Sequence, residues 1–361
     1  MSSDARDFTR RPKNSPFFQQ KLPAWQPMFT AKKSTVCFLV SGLLLVPLGA
    51  VLLVASNSVV EHTVDYTDCI ESGGTRRCSE AMFPGSNCSC EVSVHVQTPI
   101  SGPVYLYYQL ENFYQNHRRY ARSMSDSQLL GSPVSVDSLS SCDPYASVTN
   151  ISGTFAFLPC GAVANSIFND TFVVKYKGVS NASDIVVPMT NKGIAWKSDV
   201  DRKFGVLTPA ALSNTVKPPN WPISIMERSP GAFITDEELM VWMRVAALPT
   251  FRKLHRIILT QNEFKDGLPT GIYTILINYA YPVSGFGGRK SFIIGNVSWL
   301  GGKNITLGVL CILTGSLHLV LSGAFLLVYL YSRRLVPKDR RSPPPFSTHH
   351  LYIDNGAFRR V

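Results

Sequence analysis

STVCFLVSGLLLVPLGAVLLVA, residues 34–55, contains no charged side chain, and ITLGVLCILTGSLHLVLSGAFLLVYLY, residues 305–331, contains none either. Each run exceeds the roughly 20 apolar residues that cross a bilayer as a helix. A cleaved signal peptide would have a shorter apolar region and a shorter leader than the 33 residues preceding the first run, which therefore reads as an uncleaved signal anchor. The 361 residues divide accordingly into a tail at 1–33, a span at 34–55, a segment at 56–304, a second span at 305–331 and a tail at 332–361.

That division places the formal net charge of +11. Each tail carries seven basic and two acidic residues, whereas 56–304 holds 21 basic and 20 acidic. Cationic flanks stay cytoplasmic, so both termini are expected inside and the segment between the spans outside or in an organelle lumen. The endoplasmic reticulum, Golgi, endosomes and plasma membrane all satisfy this orientation. The high pI reports topology and tails suited to anionic lipid, and nucleic acid is not an expected partner.

Cysteines and glycosylation sequons agree. Cys37 and Cys311 sit inside the spans, leaving an even six between them: Cys69, Cys78, Cys88, Cys90, Cys142 and Cys160. In an oxidising compartment six such cysteines form three disulfides. The four at 69–90 raise zinc as an alternative, but their spacings lack the short C-x2-C pairs of structural zinc sites. N-x-S/T sequons occur at Asn87, Asn150, Asn169, Asn181, Asn296 and Asn304, all between the spans.

Strand signals dominate this segment. GIYTILINYAYPV at 271–283, followed by the glycine-rich 285–288 and RKSFIIGNV, reads as a hairpin; PVYLYYQL, FVVKYK and DIVVPM are further short strands. VSVHVQ at 92–97 alternates cleanly and places His95 with Ser93 and Gln97 on a solvated face. Thr235 followed by Asp236, Glu237 and Glu238 reads as a capping box opening a helix through LMVWMRVAAL, ended or kinked by Pro249. The expected fold is a two-span α-helical membrane protein with a large α+β, mainly antiparallel β-sandwich domain, disulfide-stapled and glycosylated, without internal repeats.

No hydrolase, metalloprotease, phosphate-loop or calcium-loop motif is present. His117 with a distant carboxylate such as Asp170 is the best acid-base pair available, and a binding or scaffolding role is favoured; no cofactor or metal is expected. In the second span Gly308, Cys311, Gly315, His318, Ser322 and Phe325 recur at steps of three and four, matched in the first span by Gly42, Gly49 and Ser56. Small residues permit close helix approach, and a mid-span histidine faces protein or a water-filled cavity. Either the spans pack on each other, or the stripe, with Gly315 and His318, docks a larger membrane protein. A two-span ligand-gated channel subunit is the alternative, resting on this polar stripe.

FYQNHRRYARSMSDSQL at 113–129 concentrates Arg118, Arg119 and Arg122 among aromatics. NFYQNHRRY and SDSQL, with FQQKLPAWQP (18–27), PCGAVANSIFNDTF (159–172), KGIAW (192–196), KPPNW (217–221), VWMRVAALPTFRKL (241–254) and SWLGGKN (298–304), occur in an order that resembles the cell cycle control protein fifty, or ligand-effect modulator, family. These are β-subunits of type IV P-type ATPases. The resemblance implies a non-enzymatic accessory subunit that binds a flippase α-subunit as a heterodimer, allows its exit from the endoplasmic reticulum and supports ATP-driven movement of membrane phospholipid to the cytoplasmic leaflet. It implies nested disulfides Cys69 with Cys90 and Cys78 with Cys88, plus Cys142 with Cys160, and a glycan at Asn169.

The chain departs from the family pattern at Met124 and Ser125, where a charge pair is usual, at Lys197 in place of a second tryptophan, and at Leu276 in place of a sequon. Pro23 and Trp25 suggest an interfacial elbow anchored by its indole, expected to contact the α-subunit's cytoplasmic side. For Arg118, Arg119 and Arg122, internal ion pairing is favoured slightly over contact with acidic partner loops, because a buried arginine has five donors to satisfy.

Overall fold

The computed structural model describes residues 13–22, 29–81, 88–177, 184–229 and 233–335. It comprises two units, one holding 1–53 with 305–361 and the other holding 54–304. Four helices carry the account: α1 (Ala31–Asn57), α2 (Arg118–Arg122), α3 (Glu237–Met243) and α4 (Ile305–Leu335). The two larger sheets are built from β1 (Glu61–Asp65), β2 (Cys88–Val96), β3 (Val104–Glu111), β4 (Thr171–Lys177), β5 (Ile185–Val186), β6 (Met189–Thr190), β7 (Phe251–Ile258), β8 (Gly271–Tyr279) and β9 (Arg289–Asn296).

In the first unit, α1 and α4 overrun the apolar sequences by a few residues at their ends and expose leucines and valines along most of their length. Hydrocarbon tails are as apolar as leucine, so burying these side chains supplies no drive to pair the helices. Close approach does. A Cβ on Gly49 would lie 2.8 Å from the Gly308 carbonyl oxygen, and one on Gly42 2.9 Å from that of Gly315. One heptad further along, the Ser322 hydroxyl donates to the Thr35 carbonyl at 3.0 Å. Thr35, Gly42 and Gly49 thus face Ser322, Gly315 and Gly308 at a seven-residue repeat, the spacing of a left-handed helix pair.

In the second unit one antiparallel sheet runs β1-β9-β3-β7-β6 and another β2-β8-β4-β5. Alternation decides their faces. Val104, Leu106, Tyr108 and Leu110 of β3 are buried, as are Tyr273, Ile275, Ile277 and Tyr279 of β8. The inner faces meet where the Phe172 ring of β4 lies 5.2 Å from Phe292 of β9 and 5.2 Å from His255 of β7. The result is a mainly antiparallel sandwich with short helices inserted between strands. His95 lies on an exposed face, as its alternation indicates.

Several local expectations are corrected. β8 and β9 do not form a hairpin: β8 pairs with β2 and β4, whereas β9 pairs with β1 and β3. The chain crosses between sheets after Tyr279, where Asp170 Oδ1 accepts from the backbone N–H groups of Ala280 and Tyr281 at 2.6 and 2.7 Å. DIVVPM splits around Pro188 into β5 and β6, one in each sheet. The N-cap of α3 is Asp236, not Thr235, with its carboxylate accepting from Leu239 N at 2.9 Å. That helix ends at Met243, ahead of Pro249, because Arg244 turns extended.

Disulfides join Cys69 to Cys90, Cys78 to Cys88 and Cys142 to Cys160, the pairing that the resemblance implies. Cys69, Cys78 and Cys90 place their sulfurs within 4.8 Å of one another because two bridges lie side by side. Sulfurs bonded in this way are not thiolate ligands.

Candidate functional site

The sequence motifs scattered along the domain converge on one short helix, Ala162–Asn165. The Trp242 indole donates to the Val163 carbonyl and the Trp221 indole to that of Ala164, each at 2.7 Å. Asn165 Oδ1 accepts from Asn220 N at 3.0 Å. On the other side Gln128 donates from Nε2 to the Phe157 carbonyl at 3.1 Å and accepts from Cys160 N at 2.8 Å. Ser123 Oγ accepts from Ala162 N at 2.9 Å. Gly161, at φ +99°, passes so close to the Ser123 carbonyl that a Cβ would run into it. The motifs therefore build a packed support, held together by these hydrogen bonds between buried polar groups.

That support explains half of the arginine-rich stretch. Phe113, Gln115, Tyr120, Ser123 and Gln128 turn inward; the Phe113 ring meets Trp242 at 5.9 Å, and Gln115 Oε1 accepts from Ala246 N at 2.9 Å. Arg118, Arg119 and Arg122 turn outward. All three are exposed on α2, and no ion pair engages them among the described residues. Internal ion pairing is thus corrected: a five-residue helix laid on the surface half-buries Tyr120 and Ala121 and leaves the guanidinium groups in solvent. Ser125, at the departure from the family pattern, caps the next turn by accepting from Gln128 N at 3.3 Å.

Asp170 is spent on structure. Its Oδ2 accepts from Lys290 Nζ at 2.6 Å and Tyr66 Oη at 2.9 Å, while Oδ1 takes the two backbone donors of the sheet crossing. Asp170 and Lys290 side chains are fully buried, with Lys290 Nζ also donating to the Tyr281 carbonyl at 2.6 Å. Burial pushes the Lys290 ammonium down to about 8 against the opposing pull of Asp170. With four donors on its two oxygens this carboxylate has no vacant lone pair to serve as a base, and its proposed acid-base partner, His117, lies exposed at the start of α2.

Two buried groups on β7 escaped sequence reasoning. Lys253 Nζ donates to the carbonyls of Val241, Trp242 and Arg244 at 2.9, 2.6 and 2.7 Å. It supplies the partners that the last turn of α3 lacks, and burial lowers it to about 7. His255 is the extra residue of a β-bulge, between Leu254 paired with Tyr107 and Arg256 paired with Leu106. Burial, with Arg256 beside it, pushes the imidazole down to about 3. Its ring lines a cavity of about 210 Å³ with Tyr108, Asn169, Trp221, Ile223 and Arg228. The bulge breaks the alternation of FRKLHRII, which hid this central strand. Lys290 was legible, since it shares a strand face with Phe292 and Ile294.

Of the two readings open for the membrane stripe, the structure shows the spans packed on each other. Gly315 is buried against Val46, whose backbone N would lie 2.9 Å from an added Cβ, and His318 Nδ1 hydrogen-bonds Ser41 Oγ at 2.9 Å. Phe38 and Phe325 stack at 5.7 Å beside them. The first helix occupies the face assigned to a partner or to a pore, because its own glycines match the spacing. Asn150 is exposed, Asn169 faces the cavity, and Asn296 uses both ends of its amide, donating to Ser101 O at 3.0 Å and accepting from Val60 N at 2.9 Å. Pro23, Trp25, Asn87 and Asn181 lie outside the described residues.

A model of the LEM3 (ligand-effect modulator 3) family / CDC50 family matches residues 52–335. Cell cycle control protein 50A of Mus musculus is 41% identical over 341 residues, covering 90% of this chain and 91% of that protein. Cell cycle control protein 50B of Homo sapiens is 40% identical, over 89% and 94% of the two chains. ALA-interacting subunit 3 of Arabidopsis thaliana is 38% identical, over 92% and 90%.

Proposed function

Because the chain belongs to the LEM3/CDC50 family, we propose that it is the non-catalytic β-subunit of a type IV P-type ATPase, forming a heterodimer with the lipid-translocating α-subunit. The observation that carries this reading is likeness along nine-tenths of both chains to a plant protein named as an interacting subunit. The two-span membrane architecture suits the role. A sandwich stapled by three disulfides presents a rigid surface, while the spans and cytoplasmic tails add further points of attachment. Linked surfaces gain through effective concentration.

In this reading both termini are cytoplasmic, and the domain lies in the lumen or outside the cell. The subunit accompanies the α-subunit out of the endoplasmic reticulum toward the Golgi, endosomes or plasma membrane, and supports ATP-driven transfer of phospholipid to the cytoplasmic leaflet. Arg118, Arg119 and Arg122 are exposed and free to meet acidic loops of the α-subunit, and Pro23 with Trp25 are assigned to its cytoplasmic side. Asn87, Asn150, Asn169, Asn181 and Asn296 are the candidate glycan carriers.

Affinity purification of the full-length chain in mild detergent should recover a P-type ATPase at one-to-one stoichiometry. Recovery of homotrimers without an ATPase, with ligand-evoked current, would replace this reading by the channel. Replacing the three arginines of α2 by alanine should lower ATPase recovery while the domain stays folded; unchanged recovery would remove them from the interface.

A further inference from the structure

We propose that the cavity beside Asn169 seats the first N-acetylglucosamine of a glycan carried by that asparagine, so that the sugar packs as part of the domain instead of standing in solvent. The inference rests on the lumenal placement proposed above, which exposes the Asn169-Asp170-Thr171 sequon to glycosylation.

Asn169 is held between two fixed neighbours. Phe168 stacks on Tyr108 with ring centroids 3.8 Å apart, and Asp170 is locked by Lys290 and Tyr66. The backbone is therefore anchored on both sides of Asn169, and its side chain lines the cavity. At about 210 Å³ that space falls below the roughly 300–1,000 Å³ of sites for drug-sized ligands. One sugar ring suits it, and a phospholipid does not.

Its lining has the mixed chemistry that a pyranose needs. Tyr108 and Trp221 contribute aromatic carbon to the lining, the kind of surface on which the apolar C–H groups of a sugar pack. Two buried polar atoms on the lining have no protein partner, Asn169 Oδ1 and His255 Nε2. Unpaired buried polar atoms cost about 1–3 kcal/mol each, and the hydroxyl and acetamide groups of a sugar would answer both. His255 is 6% exposed and sits at a bulge, the device that re-aims a strand side chain. Asn169 Nδ2, the atom that carries a glycan, is not among the enclosed unpartnered atoms.

Attachment forms the bond from sugar C1 to Asn169 Nδ2 and breaks the bond from C1 to a lipid-linked diphosphate donor, with the amide proton leaving as the diphosphate departs. It takes place on the chain before the domain closes, and folding then draws the sugar into place. The exposed Asn150 and the doubly hydrogen-bonded Asn296 have no comparable setting.

The test uses the full-length chain made in glycosylating cells and purified in mild detergent. Peptide mass spectrometry after denaturation reads occupancy at Asn169, and conversion of the asparagine to aspartate by a peptide N-glycosidase reads release. We expect occupancy, with release from native protein at least tenfold slower than from denatured protein. Occupancy with equal release rates, or no occupancy at Asn169, overturns the seat and leaves the topology standing; absence of glycan from every sequon between the spans overturns both. Thr171→Ala removes the sequon without touching Asn169, and Thr171→Ser keeps it. His255→Ala should lower Tm more in the glycosylated chain than in the Thr171→Ala background, and equal shifts in both count against the seat.

Discussion

Asp170 and Lys290 show what a buried ion pair demands. The Lys290 ammonium lies 3.1 Å from the centroid of the Tyr279 ring and within 2.6 Å of both a carboxylate and a carbonyl oxygen. Such a pair adds little over an apolar replacement, yet losing one partner costs roughly 3–5 kcal/mol, because the other charge is stranded. Asp170→Asn keeps the sequon and the acceptor for the sheet crossing but removes the anion. It should lower stability by about that amount, with most of it regained on adding Lys290→Met; a single-variant loss under about 1 kcal/mol in urea unfolding would contradict the assignment. His255 sets a pH dependence. Its folded pKa, about 3, lies below the ordinary 6.5 because burial and Arg256 disfavour the cation. The unfolded chain then binds a proton that the folded chain refuses. Stability is fully present above pH 6.5 and falls toward pH 3, by about 1.4 kcal/mol per unit where only the unfolded form is protonated. Between pH 6.5 and 5, above the range where Glu238 titrates, His255→Gln should flatten the denaturant-midpoint curve, and an unchanged slope would reassign the effect.

At the scale of elements, the helix pair rests on backbone proximity and a few hydrogen bonds. Gly49→Leu would drive a side chain into Gly308 and Ile312, and Gly315→Leu would meet Val46 and Leu45. Both should force the helices apart. Ser41→Cys with His318→Cys, in a Cys37→Ala, Cys311→Ala background, reads this directly: oxidation should bridge the helices readily, and either leucine should slow that bridging at least fivefold. Undiminished bridging would mean that the seam tolerates bulk. The short helix α3 relies instead on its ends. Asp236 closes its N-terminus and Lys253, from the following strand, closes its C-terminus. Seven residues are too few for a stable isolated helix, so tertiary partners at both ends explain its presence.

For the whole molecule, Cys142–Cys160 ties together a small cluster of Leu139, Ala146, Ala156 and Phe157, beside which Gln128 bonds the backbone at both Phe157 and Cys160. A bridge closing a loop of this length is worth about 3 kcal/mol, and this one braces the short helix on which both indoles rest. Cys142→Ser or Cys160→Ser should therefore retain the protein in the endoplasmic reticulum with immature glycans. Normal export of both variants would show that the cluster holds without the bridge. Arginine exposure on α2 follows from the same packing, since the aromatic half of that stretch is already committed inward.

Two uncharged runs determined the spans, because crossing a bilayer depends on the composition of one contiguous segment. Charge in the tails supported an orientation, cysteine number and compartment supported three bridges, alternation found β2, and β-branched and aromatic composition found β3, β4, β8 and β9. Each of these signals lies within a short stretch of chain. Pairings depend on residues far apart, and there local reading gave out. The supposed hairpin at 271–297 became strands of different sheets, β7 was masked by its bulge, and Asp170 turned from a candidate base into the partner of Lys290. The membrane stripe was legible as a packing surface, but only the tertiary structure decided what packs on it. In a folded core the partner of a buried group is set by where several segments meet, and that meeting place is a property of the whole chain.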